Sequence, residues 1–174
     1  MKKLNFWAPL GLALTAPALA GMQLSSADVK QGAAIPPAYI YPRCGGQNVS
    51  PGLSWSGVPA GTKSFVITMI DISVKPAHWS HWVVVDLPPD TVSLARGVKE
   101  LPGHARAVPS NFGDPYYDGP CPPNGSGVHD YQITVWALGT TSIDIAPDTA
   151  ATEVEQMLSR VALDHASLTG SVKR

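Results

Sequence analysis

The sequence reads as a mainly β domain with one amphipathic helix near its C-terminus. Three observations carry this. The 17 prolines and 16 glycines among 174 residues cut the chain into short segments joined by turns, which suits many strands rather than a helical bundle. Runs rich in β-branched and aromatic residues fall between those turns, whereas an apolar period of 3.6 is strong only near the end. A hydrophobic content of 44% and a formal charge of -1 allow one real core and give no basic surface for nucleic acid.

Taken in order, Lys2 and Lys3 precede an apolar run from Phe6 to Ala20 that closes on Ala18-Leu19-Ala20, the pattern of a secretory signal with its cleavage site. Residues 1–20 are therefore expected to be removed, leaving a domain at 21–174 in the periplasm or outside the cell. A membrane anchor fits less well, because the run is shorter than the ~20 apolar residues a span needs and contains Pro9 and Pro17. Gly21 and not a cysteine stands directly after the cleavage position, so no lipid anchor is expected, and no stable membrane insertion is expected once the segment is removed.

Ser64 to Asp71 (SFVITMID) is almost continuously apolar, as in a strand buried on both faces. A second such strand runs from His81 to Leu87 (HWVVVDL). A third, Tyr131 to Leu138, alternates until Trp136 and Leu138 make both faces apolar. Thr152 and Glu155 have capping-box spacing, and Val154, Met157, Leu158, Val161, Ala162 and His165 share one helical face, which predicts a helix docked on the sheet. Gly170 stands where a stop is expected. Two cysteines in an exported chain suggest one disulfide, Cys44 to Cys121, with two buried thiols as the alternative. The Asn48 and Asn124 glycosylation patterns are read as incidental beside a bacterial-looking signal.

The segment from Pro109 to Trp136 packs a Gly/Pro-rich turn against a His-x-Tyr pair that opens the third strand. Glycines and prolines from Gly119 to Gly127 make a stiff loop with few side chains, whose backbone can approach a ligand. Period two places His129 and Tyr131 on one face, and an imidazole beside a phenol suits an anion.

Five stretches carry a more specific likeness: NVSPGLSWSGVPAGTKSF from Asn48, the Asp71 segment running to SHWVVVDLP at Ser80 to Pro88, SNFG from Ser110, YYDGPCPP from Tyr116, and VHDYQITVWAL from Val128. In this order they resemble the phosphatidylethanolamine-binding proteins, in particular the bacterial Raf-kinase-inhibitor-like branch. The resemblance implies a central antiparallel sheet packed on a smaller one. It also implies a cavity for phosphate-type anions lined by Asp71, His81, His129 and Tyr131 beside a loop containing Gly119, Pro120 and Pro122. Two positions depart from the family pattern. The second acid of Asp-Pro-Asp-Ala-Pro is Ser73 here, which removes repulsion of an anion while Lys75 adds attraction. His-Arg-Tyr is His129-Asp130-Tyr131, with residue 130 expected to face outward.

The expected function is an exported, non-enzymatic binding protein for a small anion or phosphorylated headgroup, with an inhibitor-like role toward a protein partner as part of what the resemblance implies. An exported protein cannot readily meet a cytoplasmic kinase, so that association of the family is not carried over. The alternative is a weak hydrolase using Asp71 with His81 or His129 as general base. There is no Gly-x-Ser-x-Gly elbow, no His-Glu-x-x-His and no phosphate-cradling loop ending in Lys-Ser/Thr. No cofactor is expected, and His78, His81, His104 and Asp71 lack a recognised metal spacing. Trp55, Trp79, Trp82 and Trp136 are read as core and pocket-wall aromatics.

Overall fold

The computed structural model describes residues 21–174, so the expected signal segment lies outside the described residues. The strands are β1 (Gln23–Ser25), β2 (Leu53–Ser56), β3 (Ser64–Asp71), β4 (Trp79–Leu87), β5 (Ser93–Leu94), β6 (Arg106–Val108), β7 (Val128–Leu138) and β8 (Ala162–Lys173). Helix α1 (Ala151–Val161) precedes β8, and two short 3-10 turns, Pro37–Tyr39 and Pro42–Cys44, precede β2. Five strands form an antiparallel sheet in the order β6-β4-β3-β7-β8, and β1-β2-β5 form a smaller one. This is the two-sheet architecture expected.

Why the large sheet holds together follows from β3. Every residue of that strand is buried, as its unbroken apolar run requires. Phe65, Ile67 and Met69 enter a core shared with Leu53 and Trp55 of the small sheet, while Val66 enters a second core with Val154 and Leu158 of α1. On that second side Thr68 is satisfied by the Trp136 indole N–H at 3.1 Å, which spares a buried hydroxyl the cost of lacking a partner.

The end of the chain requires a correction. The helix is present but stops at Val161, and Ala162 is already extended. His165 and Gly170, expected on the helix and at its stop, lie in β8, which pairs along the length of β7 from Leu138↔Ala162 to Val128↔Lys173. The helical spacing ran on into a segment whose real period is two. Ala166, Leu168 and Gly170 are buried in alternation, and eleven register pairs with β7 outweigh the local helical pattern. The capping box is also absent: Ala150 occupies the N-cap with no side-chain hydrogen bond, and Glu155 accepts from His78 Nδ1 at 2.7 Å instead.

Cys44 and Cys121 form the disulfide, with Cα atoms 5.5 Å apart across 77 residues of sequence. It ties the 3-10 turn Pro42–Cys44 to the loop that leads into β7.

Two tests address this fold. A Cβ at Gly170 would lie 2.6 Å from Ile35 Cγ1 and 2.9 Å from Val29 Cγ1, so Gly170→Ala should lower the urea-unfolding free energy by about 1–3 kcal/mol through overpacking. The Cys44→Ser/Cys121→Ser protein should lose at most about 4.5 kcal/mol, the chain-entropy bound for a loop of this size, as read by the same titration. No loss would show that the crosslink restrains nothing in the unfolded chain.

Candidate functional site

The site grows from the ends of three neighbouring strands. β3 and β7 pair without a register break from Ser64↔Leu138 to Asp71↔Tyr131, so the last residue of β3 lies opposite Tyr131. His129, two residues along β7, shares the face of Tyr131. Across the other edge of β3 the register slips, with Met69 facing Trp82 and Ile70 facing Ser80. The extra residue is His81. This β-bulge sets two residues of β4 against one of β3 and re-aims the imidazole toward Tyr131, placing the two ring centres 5.1 Å apart.

These four side chains line one cavity of about 280 Å³. Its walls are completed by Val74, Trp79 and Phe112 on one side and by Cys121, Pro122 and Pro123 on the other. Asp71, His81 and Tyr131 are at most 3% exposed, so polar groups here meet a largely dry surrounding. His129 Nδ1 donates to Asp71 Oδ2 at 2.7 Å, and the Ser73 backbone N–H donates to Asp71 Oδ1 at 2.9 Å. The carboxylate is thereby held with both oxygens engaged.

His81 is fixed differently. Its Nδ1–H donates to the Asp118 carbonyl at 2.8 Å, and the Asp118 N–H returns a bond to the His81 carbonyl at 3.0 Å. Burial holds the His81 pKa down at about 4, against the raising effect of the Asp118 carbonyl and the Asp71 charge, so the ring is neutral at pH 7 with Nε2 an acceptor. Burial likewise raises the Tyr131 phenol, which stays protonated. Its hydroxyl is buried near the Asp71 carboxylate, whose charge also raises the phenol, and no well-formed hydrogen bond satisfies it among the described residues. An orphaned buried hydroxyl costs free energy that a ligand acceptor would recover.

Of the residues expected at the site, Asp71, His81, Pro122, His129 and Tyr131 line the cavity. Ser73, Gly119 and Pro120 do not. Ser73 Oγ accepts the Asp130 N–H at 2.9 Å, and Asp130 itself is exposed, facing outward as its position in the strand predicts. The Gly119 N–H donates to Asn48 Oδ1 at 2.7 Å, in a position where a Cβ would collide with the backbone of residues 39–41. The Pro120 carbonyl accepts the Tyr41 N–H at 3.1 Å. All three hold the frame around the cavity.

Sequence reasoning missed Asp118, Phe112 and Val74. Asp118 is 1% exposed, and burial pushes its carboxyl up to about 6 although Ser110 Oγ donates to it at 3.2 Å. A carboxylate in the Gly/Pro-rich loop was a visible signal. His78 bonds Glu155, and among the described residues no group of three or more metal-ligating side chains is assembled.

Comparison with known proteins agrees with this architecture. The family model for phosphatidylethanolamine-binding protein matches residues 25–173. The UPF0098 protein YbcL of Escherichia coli is 35% identical over 158 residues, covering 86% of each chain, and a UPF0098 protein of Aquifex aeolicus is 36% identical over 156 residues, covering 88% of this chain and 89% of that one. The crystal structure of E. coli YbcL, described as a member of the mammalian PEBP family, superposes with a TM-score of 0.82 at 33% identity over 89% of this chain and 99% of the other. A putative PEBP homolog, CT736 of Chlamydia trachomatis, gives 0.73 at 30% identity over 88% of this chain and 98% of that one. With the family model matched over residues 25–173 and the fold shared with these solved structures along most of the described chain, the chain belongs to the phosphatidylethanolamine-binding protein family.

Proposed function

We propose that this protein is an exported binding protein whose cavity takes a phosphate-type anion, free or as a phosphorylated headgroup. The observation that carries the reading is the Tyr131 hydroxyl, buried and unpartnered in the same cavity as the His129–Asp71 pair. The phenol offers a donor, and His129, with Nδ1 already committed to Asp71, offers Nε2 when protonated. Neutral His81 supplies an acceptor. That set matches a ligand with several acceptor oxygens and one proton to give, such as a hydrogen phosphate monoester, or one carrying an ammonium group as phosphoethanolamine does. Replacing the family's second acid by Ser73 removes a negative charge near such a ligand.

Support for export comes from the signal-like residues 1–20, from the disulfide, and from a Mycobacterium tuberculosis relative, 32% identical, whose name is "Putative lipoprotein LppC". Among the described residues no helix is long and apolar enough to cross a membrane. The inhibitor-like part of the reading rests on the rim, where Trp79 and Phe112 are 39% and 37% exposed, the kind of aromatic surface protein interfaces favour. The His129–Asp71 dyad also has the geometry of an oriented general base, but Cys121 is disulfide-bonded and no Ser or Thr lines the cavity.

Calorimetry with sulfate and phosphoethanolamine tests this reading. His129→Ala should weaken binding by roughly 1.5–3 kcal/mol, whereas Asp130→Ala should change it little. Equal losses would remove the site. Tyr131→Phe should weaken binding while leaving the unligated protein about as stable as before, because the hydroxyl it deletes makes no well-formed internal hydrogen bond. Phosphate and carboxylic esters should show no turnover above a His129→Ala control, and activity lost in both Asp71→Ala and His129→Ala would favour the hydrolase instead.

Asp118 gives a pH test of the site's frame. A carboxyl raised from 3.8 to about 6 in the folded state favours folding at low pH and opposes it as pH rises through that interval. Asp118→Asn should therefore be more stable than wild type at pH 7, by roughly 1–3 kcal/mol, and that advantage should vanish by pH 4. A difference constant with pH in urea titrations would contradict the shift.

A further inference from the structure

We infer a second ligand site, separate from the cavity at Asp71 and His129, in a cleft formed by residues 47–50, the loop 97–99 and Tyr116 with Tyr117, and we infer that it takes a small carboxylate with an apolar body. The cleft encloses about 600 Å³, within the usual range for small-molecule sites. A chamber of about 80 Å³ adjoins it and shares Ser50, Val98, Lys99, Tyr116 and Tyr117 with it. Those five residues form the seam between a space large enough for a ring and a smaller one large enough for a carboxylate.

The chemistry of the seam selects the ligand. Ser50 is 4% exposed, and its hydroxyl is buried without a hydrogen-bond partner among the described residues. Lys99 is exposed and is the cation that lines both spaces, and no carboxylate lines either one. Of the other polar side chains of the cleft, Gln47 and Tyr116 stand on its exposed wall, and Asn48 and Tyr117 are committed. Asn48 gives its Nδ2 to the Tyr117 carbonyl at 3.0 Å and takes the Gly119 N–H on Oδ1 at 2.7 Å, and the Tyr117 hydroxyl donates to the Tyr39 carbonyl at 2.6 Å. The Lys99 ammonium and the Ser50 hydroxyl are enough donors for a carboxylate. Val49, Val98 and the two tyrosine rings give the cleft an apolar stretch against which a ligand's body can pack.

The walls are also preformed. The Gly97 N–H donates to the Ser50 carbonyl at 2.8 Å, and Gly97 has a φ of 64°, a left-handed conformation that lets the loop turn back onto Ser50 with little strain. Little ordering should therefore be needed on binding.

Benzoate is a suitable probe, with benzamide as its uncharged counterpart, titrated into the exported protein while backbone amide resonances are followed. Saturable shifts are expected at Ser50, Val98 and Lys99 and not at His129 or Tyr131. Benzamide should bind about tenfold more weakly, as should benzoate to Lys99→Met, which keeps an apolar stem and loses the charge; tenfold corresponds to about 1.4 kcal/mol. Ser50→Ala should weaken benzoate threefold or more while melting no lower than wild type. His129→Ala should leave benzoate binding unchanged, so failure of the anion cavity and failure of this cleft are read separately. Absence of saturable shifts, shifts confined to the anion cavity, benzamide equal to benzoate, or wild-type affinity in Lys99→Met would each overturn the inference.

Discussion

The unbroken register between β3 and β7 is the constraint on which the rest of the structure depends. Eight consecutive pairs run from Ser64↔Leu138 to Asp71↔Tyr131, and both strands are buried over nearly all of that length. Because side chains alternate, a slip of one residue would exchange the two cores and turn Tyr131 and His129 away from Asp71. The site is therefore specified by the same burial that stabilises the sheet. On the other edge of β3 the register does slip, and that slip is used: it is what points His81 into the space above Tyr131.

Around that frame, most of the buried titratable groups have a defined protonation or a defined partner. Asp71 is engaged on both oxygens, His81 is kept neutral by burial and anchored through the Asp118 backbone, and Asp118 keeps its proton up to about pH 6. The Asn48 amide connects this group to the neighbouring cleft, since it bridges the Tyr117 carbonyl and the Gly119 N–H on either side of Asp118. Anything that shifts residues 117–119 is thus felt on both sides of that short segment.

Much of this was legible in the sequence. SFVITMID is confined to one reading because no face of it is polar, and it is β3 with the same limits. The resemblance located Asp71, His81, His129 and Tyr131, and alternation in β7 already placed the last two together. What stayed hidden depends on partners distant in the chain. The bulge at His81 exists only as a mismatch in count between β4 and β3. Phe112 reaches the cavity from a loop with no period of its own, packing 5.1 Å from the His81 ring centre. Ser73 was assigned to the ligand from the family's second acid, and Gly119 and Pro120 from the Gly/Pro-rich loop, yet all three are tied into backbone hydrogen bonds away from the cavity. β8 was lost because Val161 and Ala162 continue a helical spacing that β7 then overrides.

Strand β8 also has an outer side. Its later half is covered by residues 31–35: the Gly32 N–H reaches the Thr169 carbonyl at 2.7 Å, and Ile35 and Ala33 bond Ser171 on both of its backbone groups at 2.9 Å. Its earlier half carries Asp164, which accepts the Met22 N–H at 2.9 Å, and His165, stacked on Trp136 with ring centres 4.8 Å apart. A short arm at the start of the domain and a pair of polar side chains thus close an edge that would otherwise template a neighbouring molecule. Trimming that arm would leave the cavity's lining residues untouched and yet expose backbone groups of β8 to edge-to-edge pairing, so self-association would rise through residues remote from the cavity.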